Sequence, residues 1–408
     1  MQAGWRIGSL FKIPLYIHPS WLYILAIFTY INGRDLQQSF PQGELVLAWG
    51  IGFLTTILLF GSVLLHELGH SLVARSQGIK VNSITLFLFG GVASIEEESK
   101  TPGQAFQVAI AGPVVSLLLF VLLSSLMFLL PISGMVGALV SDIAHINLVL
   151  VLFNLIPGLP LDGGQVLKAG VWKLTGDRFQ GVHWAAKTGK FLGWGGILLG
   201  IATFLLSASF SGLWISLIGW FVLRNAKNYD RVTTLQEALL QLMAADAMTR
   251  DFRVVDADMT LRQFADEYIL KEAWASEGTK QIYPYYAASN GRYRGLVSIE
   301  DLHFVERSRW ETQTIESIVR PLAEIATVQE KMPLVEVINC METHQMKRLT
   351  VLSPAETVAG VIDRGDIVRS VASKLNLPFS EADIKNIKAE GSYPPALQLQ
   401  AIAKATTP

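Results

Sequence analysis

A chain of 408 residues that is 51% hydrophobic, 16% charged and of positive mean hydropathy (+0.38) is too long for one ordinary domain and too apolar for a soluble one, which points to a membrane protein. A formal net charge of -1 and an isoelectric point near 6.7 give no basis for binding nucleic acid or an acidic partner, so charge arguments have to be local. The single cysteine, Cys340, excludes an intramolecular disulfide framework and a zinc ribbon, and reads as a small core residue.

Charged residues are sparse up to Arg224 and frequent from Tyr229 onward, so a domain boundary is expected near residues 225–240. The first part, residues 1–230, reads as a polytopic α-helical membrane domain with apolar segments at 19–31, 46–73, 104–130, 139–156, 190–207 and 213–223. Several approach the roughly 20 residues that a helix needs to cross about 30 Å of hydrocarbon. The first and last are short, and Trp21, Trp214 and Trp220 suit the interfacial positions that would extend them. No small-residue cleavage site follows the first segment, which argues against a signal peptide. Threading six crossings in alternation puts Arg6, Lys12, Arg75, Lys80, Lys100, Lys168, Lys173, Arg178, Lys187, Lys190, Arg224 and Lys227 on one side, and Arg34 alone on the other. By the positive-inside rule both termini are cytosolic, in a multi-pass protein of the cell (inner) membrane.

The second apolar segment ends on His66-Glu67-Leu68-Gly69-His70, an HExxH pattern. Four residues is slightly more than one helical turn, so both imidazoles leave the same face, about 6 Å apart along the axis, and can grip one Zn²⁺. Glu67, beside the pair, is placed to take a proton from water as general base. Ionisable side chains in an apolar run cost about 2.5–3.5 kcal/mol each when charged at the helix centre, and a metal ion is a partner that offsets this. The bland alternative is histidines packed against neighbouring helices with a glutamate reaching the interface.

Between the second and third segments, the stretch from Leu86 to Ile95 is strand-like and broken by glycine. It reads either as a partner for an unwound substrate segment through strand addition or as a hairpin that only caps the site. The fourth segment runs into Asn154-Leu155-Ile156-Pro157-Gly158-Leu159-Pro160-Leu161-Asp162-Gly163-Gly164. Pro157 and Pro160 stop the helix, the freed backbone has to line a cavity or be buried in protein, and the paired glycines allow a sharp turn behind Asp162. Asp162 ends on the same side as HExxH and completes a His₂Asp set with a fourth position open. A polar loop around Gln165 and residues 176–189 is expected to admit water.

HELGH in one membrane segment and NLIPGLPLDGG in a later one resemble the site-2 protease family of intramembrane zinc metalloproteases, over roughly residues 5–230. The stretch Leu86-Phe87-Leu88-Phe89-Gly90-Gly91-Val92-Ala93 and the Ala111-Gly112-Pro113 opening of the third segment share in the likeness. The resemblance implies one Zn²⁺ on His66, His70 and Asp162, Glu67 as general base, and Asn154 as a hydrogen-bond donor to substrate or transition state. It also implies regulated intramembrane proteolysis of a single-span membrane protein, such as an anti-sigma factor or a tethered transcription factor.

The remainder holds an internal repeat. Residues 254–261 align with 327–334, and Gly295-Leu296-Val297-Ser298-Ile299-Glu300-Asp301 aligns with Gly360-Val361-Ile362-Asp363-Arg364-Gly365-Asp366. Each unit reads strand, helix, strand, strand, helix, with extra residues at 271–282 in the first. The pair, over 240–373, resembles tandem CBS domains. That likeness implies an α/β module in which Asp301 and Asp366 hold the ribose of an adenine nucleotide. Asp363 stands where Thr or Ser is common and would repel phosphate, so a structural or homodimerising module is the alternative. The tail, 374–408, is expected to hold one helix from Ser380 and then a disordered end. A CBS-gated transporter or channel is the competing functional class, and the metal motif is what argues against it.

Overall fold

In the computed structural model, which describes residues 4–41, 44–87, 90–207, 210–270 and 283–406, the chain forms two compact units, Met1–Thr233 and Thr234–Pro408. The first unit opens with strands β1 (Trp5–Leu10) and β2 (Ile13–Ile17), followed by helices α1 (Ser20–Ser39) and α2 (Leu45–Ser76). Strands β3 (Val81–Phe87) and β4 (Gly90–Ile95) come next, then α3 (Pro102–Leu129), α4 (Gly134–Asn154), α5 (Asp162–Thr175), α6 (Arg178–Ser207) and α7 (Phe210–Gln241). Among the described residues, α2, α3, α4 and α6 are long and apolar enough to cross a membrane. Their outer faces are apolar as well: Leu118, Leu122 and Phe128 on α3 are 62%, 64% and 90% exposed. Such faces are stable against lipid and costly against water.

The four strands make one sheet in the order β1-β2-β3-β4, with β2 and β3 parallel and the other pairs antiparallel. Ile13, Leu15, Val81 and Ile84 pack with Leu68 and Ala74 of α2, so the sheet is bound to the end of α2 that carries HExxH. The β1–β2 hairpin was not expected from the sequence. Every residue of β1 is exposed, so it lacks the in-out alternation by which a half-buried strand is recognised. Leu88 and Phe89, inside the stretch expected to be strand-like, lie outside the described residues.

A second difference concerns the expected polar loop. Gln165 lies inside α5, and residues 178–189 are the first three turns of α6, so only the short turn at Gly176 and Asp177 separates them. Gly176, at φ 76°, ends α5 in the left-handed conformation that favours glycine. Leu159, Val182, Ala185 and Ala186 form the apolar cluster beneath this turn, and Lys168 of α5 is tied to Glu98 at 3.2 Å.

The second unit carries the repeat. Its first copy is β5 (Arg253–Asp256), α8 (Leu261–Phe264), β6 (Tyr285–Ser289), β7 (Arg292–Val297) and α9 (Ile299–His303). The second copy is β8 (Thr327–Gln329), α10 (Leu334–Thr343), β9 (Arg348–Leu352), β10 (Val358–Asp363) and α11 (Arg364–Leu375). In each copy the first strand pairs parallel with the second, and the second antiparallel with the third. The insertion at 271–282 lies outside the described residues. In the tail the helix expected from Ser380 is α12 (Glu381–Glu390), capped by Ser380, whereas the end expected to be disordered forms α13 (Leu399–Thr406). Ile384, Leu397, Leu399 and Ile402 are buried, apolar anchoring that a short segment rich in Pro and Gln does not advertise.

Candidate metal centre

His66 and His70 stand one turn apart on α2, almost fully buried at 4% and 8% exposure. Asp162 reaches them from the first turn of α5, where a carboxylate is favoured by the helix dipole. That turn sits tightly on the segment before it: a Cβ on Gly163 would strike the Leu155 and Ile156 carbonyls, and one on Gly164 would strike the backbone of Gly158 and Leu159. The paired glycines therefore allow α5 to start close against the proline turn, which is what aims Asp162 at the histidines.

The three donor atoms form a nearly equilateral triangle. His66 Nε2 is 3.0 Å from Asp162 Oδ2, His70 Nε2 is 3.3 Å from the same oxygen, and the two Nε2 atoms are 3.3 Å apart. Donors held tetrahedrally at zinc–ligand distances of 2.0–2.2 Å stand about 3.3–3.5 Å from one another, so the set fits zinc to within a few tenths of an ångström. It is a group of three potential ligands whose atoms all lie within 4.8 Å of one another.

Helix α3 backs this triangle with a stripe at positions i, i+4 and i+8. His70 Nδ1 donates to the Val108 carbonyl at 2.6 Å, and His66 Nδ1 lies 3.0 Å from the fully buried Ser116 hydroxyl. A carbonyl only accepts, so His70 carries its proton on Nδ1 and leaves the Nε2 lone pair toward Asp162. Between them stands Gly112. A Cβ there would lie 2.7 Å from His66 Nε2 and closer still to His70 Nε2, so the space in front of both donors exists because Gly112 has no side chain. Val108 and Ser116 escaped sequence reasoning, and Gly112 entered it only within the Ala111-Gly112-Pro113 likeness, without a role. The available signal was a serine four residues after a glycine in an apolar helix, a pattern that gains meaning only when the facing helix is known.

Glu67 accepts the Ala93 backbone N–H of β4, and a Cβ on Gly91 would fall 2.6 Å from its Cγ. The strand therefore crosses directly over this carboxylate. Asn154 is the last residue of α4, half-buried, and is not one of the three clustered ligands.

The two aspartates of the repeat unit already have internal partners. Asp301 receives Arg320 through two hydrogen bonds of 2.6 and 2.7 Å. Asp366 is 2% exposed and exchanges backbone-to-carboxylate hydrogen bonds with Asp363 in a capping box that starts α11. Lys388 of α12 reaches Asp366 at 2.5 Å and Asp363 at 3.4 Å, and Arg369 adds a contact to Asp366 at 3.2 Å. Burial, then the neighbouring Asp363 carboxylate, push Asp366 up to about 6 despite Lys388.

The sequence profile of peptidase family M50 matches residues 54–143 and 132–196, and that of the CBS domain matches 315–373. A Synechocystis sp. protein assigned as a zinc metalloprotease is 40% identical over 370 residues, covering 90% of this chain and 96% of that protein. The Rip3 protein of Mycobacterium tuberculosis, assigned likewise, is 31% identical over 374 residues, covering 91% of this chain and 93% of its own. Among solved structures, a site-2 protease from Methanocaldococcus jannaschii is 29% identical and covers 56% of this chain and 95% of its own, with a TM-score of 0.39.

Proposed function

The chain belongs to peptidase family M50, the site-2 protease family, and from that premise we propose that it is an intramembrane zinc metalloprotease. Its substrate is then a single-span membrane protein, such as an anti-sigma factor or a tethered transcription factor, cut within its membrane segment. The observation that carries the reading is the donor triangle of His66, His70 and Asp162, with edges of 3.0 to 3.3 Å, whose two histidines stand on a helix apolar enough to span the bilayer. A transporter has no need of that set.

Those three residues would hold one zinc per chain, which would supply Lewis acidity toward a peptide carbonyl and water. The protein does the rest. Val108 and Ser116 hold the two imidazoles in the tautomer that offers Nε2. The Glu67 carboxylate takes a proton from the attacking water and delivers it to the departing amide nitrogen, so that water adds as OH to the carbonyl carbon and H to nitrogen. Strand β4 is an edge of its sheet and passes over Glu67, so an unwound substrate segment adds to its free side and presents its carbonyls beside the base. Asn154 serves as a hydrogen-bond donor to the substrate or the transition state.

For topology, α1 and α7 complete six crossings, with both termini in the cytosol of a cell whose inner membrane holds the protein. Tags after Arg34 are then reachable from outside and tags at Gly176 are not. The repeat pair modulates cleavage through an adenine nucleotide at Asp301, which is nearer the surface than Asp366; the ligand has to displace Arg320. The Asp366 position already holds Lys388 and is the weaker site.

The function is tested by co-expressing single-span candidates with wild type and with Glu67→Gln. Wild type shortens one of them and the variant leaves it whole while still binding zinc. Equal processing by both removes the proteolytic reading.

A further inference from the structure

We propose that Asn147 is a positioning residue for the hydrolysis: its hydrogen bond to Ser62 sets the height and rotation of α4 on α2, and through them the aim of Asn154 at the substrate carbonyl. The proposal rests on the metalloprotease reading above. Asn147 lies in the middle of α4, a helix apolar enough to span the bilayer, and is 0% exposed. Its Nδ2 donates to Ser62 Oγ on α2 at 2.9 Å and to the Ile143 carbonyl one turn back at 2.8 Å. Donation to a carbonyl fixes which end of the amide is nitrogen. The other end, Oδ1, has no hydrogen-bond partner among the described residues. A carboxamide with a bare acceptor is costly in an apolar interior, and one hydrogen bond between membrane helices contributes little stability. Leucine, with the same number and branching of side-chain heavy atoms, would hold the two helices together at least as well. Stability therefore does not account for Asn147. A directional bond does what apolar packing cannot, which is to select one register and one rotation of two helices.

The place of that bond decides what it controls. Ser62, His66 and His70 follow at intervals of four on α2, so Ser62 stands on the histidine face, one turn before the first ligand. Asn147, Val151 and Asn154 follow at intervals of four and three and share the inward face of α4, where Asn147 and Val151 are buried. The two helices run in the same direction. Ala48 and Ile51 near the start of α2 pack with Met135, Ala138 and Leu139 near the start of α4, and the chain leaving α4 carries Asp162 to His66. Seven residues beyond the bond, about 10.5 Å along either axis, α2 reaches Gly69 and α4 reaches Asn154. The bond thus brings Asn154 level with the turn of α2 that carries both histidines and Glu67. Gly163 and Gly164 clamp the backbone of the proline turn that follows, so Asp162 keeps its place without the bond, whereas the Asn154 side chain follows the rotation of α4.

The test uses the full-length protein in detergent and the single-span substrate that wild type shortens, and reads zinc content, thermal midpoint, kcat and KM. A misplacement of about 1 Å costs on the order of a hundredfold in a preorganised site, so Asn147→Leu, which frees α4 only in part, lowers kcat about tenfold and leaves KM within about twofold. It keeps one zinc per chain and melts at or above the wild-type temperature. Ser62→Ala removes the same bond from the other helix and lowers kcat to a similar extent. Asn154→Ala alone lowers kcat about a hundredfold, as loss of a transition-state donor does, but costs clearly less on top of Asn147→Leu, where the donor is already misaimed. Should Asn147→Leu not fold, Ser62→Ala takes its place in the same cycle. Wild-type kcat in either single variant of the bond, or the full effect of Asn154→Ala in its absence, overturns the proposal and leaves the protease reading standing. A loss of kcat that comes with lost zinc or a lowered midpoint makes Asn147 a packing residue and overturns it too. A wild type that cuts no substrate overturns the protease reading itself, and the role of Asn147 with it.

Discussion

Replacing Gly112 by Ala separates the metal site from the fold more cleanly than any ligand substitution. In a helix interior alanine is favoured over glycine by roughly 1 kcal/mol, so α3 gains intrinsic stability from the change. The added methyl, however, falls 2.7 Å from His66 Nε2 and closer to His70 Nε2, where carbon and nitrogen need about 3.4 Å. The imidazoles must retreat by roughly 0.7 Å or more, against a donor triangle whose longest edges are 3.3 Å. Displacements of this size cost on the order of a hundredfold in a preorganised site, equivalent to about 2.7 kcal/mol of zinc affinity. The assay is zinc affinity by competition with a calibrated chelator, alongside helicity by circular dichroism and cleavage of a processed substrate. Gly112→Ala is expected to keep wild-type helicity and lose both zinc and cleavage. Wild-type zinc affinity in this variant would show that the histidines do not share a metal in front of Gly112.

Ser116→Ala, which removes the partner of His66 Nδ1, is expected to weaken zinc binding by about ten- to a hundredfold, while Ser116→Thr retains most of it; equal affinity in all three would remove Ser116 from ligand support. Asp366, pushed up to about 6 by burial and Asp363, binds its proton more tightly folded than unfolded, where its value is about 3.9. Its contribution to stability is therefore complete below about pH 4 and is lost as pH rises through about 6. The urea midpoint of the repeat unit should fall between pH 5 and pH 7.5, and Asp363→Asn should shrink that fall by removing the adjacent charge; an unchanged fall in the variant would refute the pairing.

The chemistry of the site was more legible than its surroundings. HExxH declares its geometry because four residues on a helix fix both imidazoles on one face, and the prolines and glycines around Asp162 declare a break that carries an inward-facing group. Hydropathy marked the apolar segments, though α7 runs on to Gln241, far past its apolar part. Helix α5 was missed because Gly163, Gly164 and Gly170 lower its helix propensity, and it is tertiary packing that stabilises it. Ser116 and Gly112 carry no periodic signal, and their meaning depends on α2 standing opposite. The pairing of Lys388 with Asp366 joins residues 22 apart through the packing of α12 on α11, which no local pattern encodes. Sequence reasoning singled out Asp301 and Asp366 but not the cations that hold them.

The claim on which the rest depends is that His66, His70 and Asp162 hold one metal ion, and elemental analysis of the purified full-length protein tests it directly. The expected result is one zinc per chain in wild type and in Glu67→Gln, and a loss of most of the metal in His66→Ala and in Asp162→Ala after dialysis against a weak chelator. Full zinc in both His66→Ala and Asp162→Ala would contradict the account.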